Sequence, residues 1–397
     1  MNRIVGSSSS ISKQAQIVNP FRIGSNFLRP TRKLKFERPL VALQSDDWGR
    51  VGICDRQGWD RLRATGINLG THPYDFYSLE TADDVTALRE MLKKHRDSIR
   101  RSPCLVMNFI TANIDFEKAT IPCREIPLRP LSADLPGSWS RPGLFESLRA
   151  GIADGVFYPA LHGLTHFCSR SVLGLEQREA KAELLQKLWE AETPYIYSRM
   201  PWIGYENCTS DGRFLAGHDQ MAAIKRAADN FQEAFGFRAF SACAPGYRAN
   251  CDTHASWARS GIRVAQNGPG HPLLPHFDKH EILHVYRVID FEPSHSAIDL
   301  DRLLRVASEC FRRGAPLIIS IHSINFHSTL KDFRTPTLQM LNVFLSALER
   351  RHPDLLYVHD RDLYDIATSG TYRTTEGTYA VATEYAHNVW LKPAGAH

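Results

Sequence analysis

The chain reads as an α/β protein folded into a single-domain (β/α) barrel with loop insertions, and three observations predict this. Short apolar runs alternate with amphipathic helical stretches over about 330 of the 397 residues, the pattern of strands paired in parallel through helical crossovers. No apolar run approaches the ~20 residues that a membrane-crossing helix needs. Three runs end in residues that bind metals or protons: Leu40-Val-Ala-Leu-Gln-Ser-Asp-Asp-Trp-Gly49, Leu161-His-Gly-Leu-Thr-His166 and Leu317-Ile-Ile-Ser-Ile-His322. In a parallel barrel the C-terminal strand ends open on one mouth, so these residues are expected to meet there.

Taken in order, the first strand begins at Leu40 and delivers Asp46 and Asp47 to its end. A helix follows over 83–99, where Val85, Leu88, Met91 and Leu92 recur at helical spacing. Residues 103–109 form a strand, 117–142 a Pro-rich surface excursion, and 155–161 a strand that stops at His162. Ala180, Leu184, Leu185, Leu188 and Trp189 share one face of a helix over 177–192. The aromatic stretch 194–213 is an inserted loop, suited equally to a sugar platform or a packed lid. A helix over 220–235, a strand over 238–243, a short helix over 256–260 and a strand over 262–266 come next. A strand at 281–290, a helix at 299–313, a strand at 316–322, a helix at 337–351 and a strand at 355–359 complete the series. His271, His276, His280 and His284 crowd together, but across a Pro-rich loop and a strand, and read as surface.

Hydrophobic residues make up 43% and charged residues 23%, the balance of an ordinary globular chain. The net charge of +5 is uneven: Arg3, Lys13, Arg22, Arg29, Arg32, Lys33, Lys35 and Arg38 face only Glu37 in the first 38 residues. Three segments follow from this: a basic, partly disordered leader at 1–37, a barrel at 38–368 and a tail at 369–397. The leader suits a solvated arm first, and otherwise a transit segment or peripheral contact with an anionic membrane. The body carries no basic stripe interleaved with aromatics, which argues against nucleic acid. Eight cysteines are scattered without a Cys-x-x-Cys pair, and no apolar export signal precedes the body, so reduced thiols in the cytoplasm are expected.

The three converging motifs suggest a chemistry. His162 and His166, four apart, can face one point, and one carboxylate completes a two-histidine, one-carboxylate set with open positions. Zn²⁺, Co²⁺, Ni²⁺ and Fe²⁺ suit such a set, Zn²⁺ first. If Asp47 is the ligand, Asp46 is spare to take a proton from water, and His322 across the mouth can give one to a departing amine. Amide hydrolysis follows from these residue types.

The order Ser-Asp-Asp-Trp-Gly, His-Gly-Leu-Thr-His, Ala-Pro-Gly-Tyr and Ile-Ser-Ile-His resembles the polysaccharide deacetylase (NodB-homology) family, over roughly residues 38–368. The resemblance implies a distorted seven- or eight-stranded (β/α) barrel that uses a divalent metal to remove acetyl groups from sugars. It implies Asp46 as catalytic base, Asp47, His162 and His166 as metal ligands, and His322 as general acid. An acetylated amino sugar in a polysaccharide or its precursor is the implied substrate. A deformylase or amidase on a lipid-linked sugar and a non-catalytic glycan-binding homologue are the alternatives. Two positions depart from the family pattern. Trp48 interrupts Asp-Asp-Gly, where it is expected to roof the cleft. Cys243 and Ala244 stand where an arginine precedes the Pro-aromatic motif, which leaves Arg248 to fold back onto Asp46. The backbone N–H of Tyr247, or one beside it, is the implied oxyanion donor.

Overall fold

The computed structural model describes residues 33–386 apart from 122, 270–273, 376 and 382. Most of the expected basic leader, His271 and the last eleven residues therefore lie outside the described residues. The barrel strands are β1 (Leu40–Trp48), β2 (Leu105–Phe109), β3 (Phe157–Leu161), β4 (Ser241–Cys243), β5 (Val264–Asn267), β6 (Leu283–Tyr286), β7 (Ile289–Asp290) and β8 (Leu317–His322). Neighbours β1 to β6 pair in parallel in chain order, and β7 and β1 both pair in parallel with β8. Only Arg287 and Val288 separate β6 from β7. One stave thus begins against β5 and ends against β8, joining the two sides of a distorted seven-stave barrel.

Side chains alternate along each stave, so the barrel wall separates two environments. Val41 and Leu43 of β1 face outward onto helices Ala82–Leu92 and Arg334–Arg351, in a core that includes Leu88, Leu92, Leu341 and Leu345. Leu40 and Ala42 face inward with Val264, Val285 and Ile318, and helix Asp360–Ser369 covers that lower end through Leu363 and Ile366. Higher up, the inward positions turn polar. Gln44, Asn108, Gln266 and Ser320 are fully or almost fully buried and lead up to Asp46.

Several expected boundaries move for local reasons. The helix expected over 83–99 ends at Leu92: a Thr81–Asp84 capping box starts it, and Arg100 adopts φ 68° in the turn beyond. The short helix expected over 256–260 starts earlier, at Cys251, because Asn250 caps it. Lys33–Phe36, placed by charge within the leader, is a strand. Leu34 and Phe36 are buried there, while the segment pairs with His276–Phe277 and Thr383–Ala386. Counting its lysines hid that alternation.

Candidate active site

β1 should send Asp46 and Asp47 to opposite faces. A register shift against β2 between Ser45 and Trp48, together with φ 74° at Asp47, breaks the alternation and brings both carboxylates to the mouth. Tyr77 Oη holds this uncommon backbone by donating to the Asp47 carbonyl at 2.5 Å. The same bulge reverses Trp48. It does not roof the cleft: it is fully buried, stacked on Phe326, with its indole N–H donating to Ser45 Oγ at 2.8 Å.

Asp47 Oδ1 lies 3.5 Å from His162 Nε2 and 3.0 Å from His166 Nε2, and all three residues are buried. His162 Nδ1 donates to the Cys243 carbonyl at 2.9 Å, which leaves the Nε2 lone pair aimed at the carboxylate. Burial pushes His166 down to about 4, against the pull of Asp47, so its ring is neutral at pH 7. Asp47 Oδ1 is buried without an aligned hydrogen bond. Two imidazole lone pairs and an unsatisfied carboxylate oxygen within 4.8 Å of one another are a donor set for a divalent cation. Burial opposes ionisation of Asp47, but Arg50 and His166 outweigh it and hold its pKa well below the carboxylate range. The buried Arg50, 3.6 Å from Asp47 Oδ2, is fixed by Tyr195 Oη at 2.7 Å and by the Tyr77 ring.

Asp46 is held separately. Arg287 grips both its oxygens, Nη1 to Oδ2 at 2.6 Å and Nη2 to Oδ1 at 2.7 Å, and Asn108 Nδ2 donates to Oδ1 at 2.7 Å. Burial would raise the Asp46 pKa, but the Arg287 charge overrides it and keeps the carboxylate ionised. Arg287 also donates to Gln44, Gln266, Ser320 and the Tyr247 hydroxyl. Arg248, assigned this role from the sequence, is exposed and does not hold Asp46. Residue 287 does, because it is the inward position where one stave changes partners. Tyr247 also differs from expectation: its N–H donates to the Ala244 carbonyl at 2.8 Å and is not free for an oxyanion, whereas its hydroxyl joins Arg287. Cys243, at the expected arginine position, is kept a neutral thiol by burial, with Sγ 3.7 Å from Asp46 Oδ2.

His322 completes the mouth, its Nε2 3.9 Å from Asp46 Oδ2. Its Nδ1 meets Glu292 Oε1 at 2.6 Å, and Asn325 Nδ2 donates to the other Glu292 oxygen. Burial alone would lower the His322 pKa; Glu292 and the two aspartates outweigh it and raise it to about 9. Replacing Glu292 with Gln should therefore move the basic limb of any His322-dependent pH–rate profile down by roughly one unit or more. Steady-state rates between pH 6 and 10 check this, and an unmoved limb contradicts the Glu292–His322 pairing.

Sequence reasoning missed a further carboxylate. Glu206 is buried and accepts the Leu164 N–H at 2.5 Å and the Thr165 N–H at 3.4 Å, shaping the turn between the two histidines. Burial pushes its pKa up to about 7. Gly163 turns here at φ 105°, and a Cβ would fall 2.3 Å from Glu206 Oε2. Only the folded loop shows this residue's role, since it lies in the aromatic insertion. Tyr197 and Tyr205 of that insertion, with Tyr74 and Tyr247, wall a mouth cavity of about 280 Å³. His72 is exposed and caps a turn. A larger cavity, about 570 Å³, lies beside Leu164, Thr165 and Phe167 and contains none of the expected site residues.

No family model and no curated protein matches the chain. Its structural neighbours include polysaccharide deacetylases and family 4 carbohydrate esterases, and also a 4-alpha-glucanotransferase from Thermococcus litoralis (11% identity, over 85% of this chain and 41% of its own, TM-score 0.45). A protein from Mycobacterium smegmatis described as a polysaccharide deacetylase shares 12% identity, over 84% of this chain and 92% of its own, at TM-score 0.43. The family 4 carbohydrate esterase from Streptomyces lividans shares 13%, over 80% and 90%, at 0.35. A CE4 family pseudoenzyme from Bacillus anthracis shares 10%, over 83% and 66%, at 0.37. With likeness this distant, what the chain does is decided by its own side chains.

Proposed function

We propose that the chain is a metal-dependent hydrolase that removes an N-acetyl group from an amino sugar in a polysaccharide or its precursor. One observation carries this reading: Asp47, His162 and His166 point three donor atoms at one spot, while the adjacent Asp46 is kept out of that set by Arg287. The orphaned Asp47 Oδ1 and the free His162 Nε2 fit a divalent cation, Zn²⁺ first. When bound there, such a cation would polarise an acyl carbonyl and acidify a water.

The protein's own groups do the rest. Asp46 stays ionised at working pH and accepts the proton of the attacking water. His322, kept protonated by Glu292, gives a proton to the departing amine. The tyrosine-walled mouth holds the acyl sugar and limits water around it. The motif order supports narrowing the amide to an acetylated sugar. An arginine missing at 243 and 244 would favour a glycan-binding homologue without turnover, but Arg287 grips Asp46 from another stave and supports turnover instead.

Among the described residues no helix is long and apolar enough to cross a membrane. A cytoplasmic setting is part of the same proposal and rests on the scattered cysteines. Acetate release from a panel of N- and O-acetylated sugars tests the reading. Metal-loaded protein should release acetate, and a chelator should stop it. A panel without turnover under any divalent metal, or turnover indifferent to chelation, overturns it.

A further inference from the structure

The outer wall of the barrel carries a second gathering of imidazoles. Along β6 the alternation that turns Arg287 into the barrel turns His284 and Tyr286 outward. His284 meets helix Cys251–Arg259, where the His254 ring centroid lies 4.8 Å from its own. On its other side it pairs in register with His276, the two rings stacked at 5.1 Å. The turn between His276 and β6 closes around Asp278. Its Oδ1 accepts the N–H of His280 at 2.8 Å and of Ile282 at 3.0 Å, and its Oδ2 faces His284 Nε2 at 3.4 Å. His254, Asp278 and His284 each offer a donor atom within 4.8 Å of the other two. His280 adds an independent sign: its Nε2 is buried with no hydrogen-bond partner.

We infer that His254, Asp278 and His284 form a second divalent-metal site, outside the barrel and separate from the mouth. Two imidazoles and one carboxylate suit Zn²⁺, Co²⁺ or Ni²⁺, with the remaining position open to water or to a neighbouring ring. The ligands come from a helix, a turn and a barrel stave. An ion among them ties the strand His276–Phe277, and the strand Lys33–Phe36 beyond it, to the wall. His284 and His276, from the histidine run that reads as surface in the sequence, thus gather with His254, a residue from a different element.

Metal counting on the full chain tests this. Protein stripped with chelator and reloaded with Zn²⁺ should retain about two ions per chain. The Asp47→Ala, His162→Ala variant should keep about one, and the His254→Gln, His284→Gln variant about one. Asp278 is left intact because its Oδ1 closes the turn. Zn²⁺ should also raise the melting temperature of the mouth variant, and not that of the fourfold variant. Co²⁺ titration of the mouth variant alone keeps the test decisive even if the outer variant misfolds: visible absorption bands saturating near one equivalent support the site. A mouth variant that binds no metal, or an outer variant that retains as much as the parent, overturns it.

Discussion

Replacing Arg287 with Met should destabilise the fold by about 3–5 kcal/mol and remove turnover, the largest effect expected of any single change in the barrel. The side chain is fully buried, and its guanidinium grips Asp46 through two hydrogen bonds at 2.6 and 2.7 Å. Without it the buried carboxylate loses its bidentate counter-ion and keeps only the more distant His322, 3.9 Å away, and Gln44 and Gln266 each lose a donor. Lysine keeps the charge but not the planar fork, so Arg287→Lys should fall between parent and Met. The double variant Asp46→Asn, Arg287→Met removes both charges and should recover much of the lost stability. Urea denaturation of the parent, Arg287→Met, Asp46→Asn and the double variant measures that coupling. If the Met variant is as stable as the parent, Arg287 does not hold Asp46.

Asp46→Asn should lower kcat by about 10²- to 10⁴-fold while leaving the metal content intact, at some cost in stability because the buried Arg287 loses its counter-charge. Asn108 and one Arg287 N–H still reach the amide oxygen at this position, and Asp47 is untouched, so the loss of rate in the folded variant should fall on the chemical step. Asn cannot take a proton from water, whereas the Asp47, His162 and His166 set remains complete. Acetate release at saturating substrate, with bound metal measured on the same samples, separates the two carboxylates. Equal rates in parent and variant would remove Asp46 from the chemistry.

How much of this was legible in the chain depends on distance and register. Asp47, His162, His166 and His322 could be found because each follows an apolar strand, and parallel strand ends share a mouth. Arg287 sits 241 residues from Asp46. Its strand was visible, but which of its residues face inward follows from the alternation across the partner change at Arg287 and Val288. Glu206 and Glu292 act from loops, where no periodicity marks a functional carboxylate. Trp48 was misplaced for the opposite reason: regular alternation was assumed across a bulge. The deeper polar layer of Gln44, Asn108 and Gln266 joins Asp46 to the buried Asp360, and it is built from residues that look unremarkable singly.

A crystal of the protein soaked in Zn²⁺ and measured at the zinc absorption edge addresses the central geometry directly. Anomalous density should lie about 2.0–2.2 Å from Asp47 Oδ1, His162 Nε2 and His166 Nε2, with the Asp46 carboxylate outside bonding distance and still gripped by Arg287. Density bonded to Asp46 in place of Asp47, or none between the two histidines, would contradict the division of labour between the adjacent aspartates.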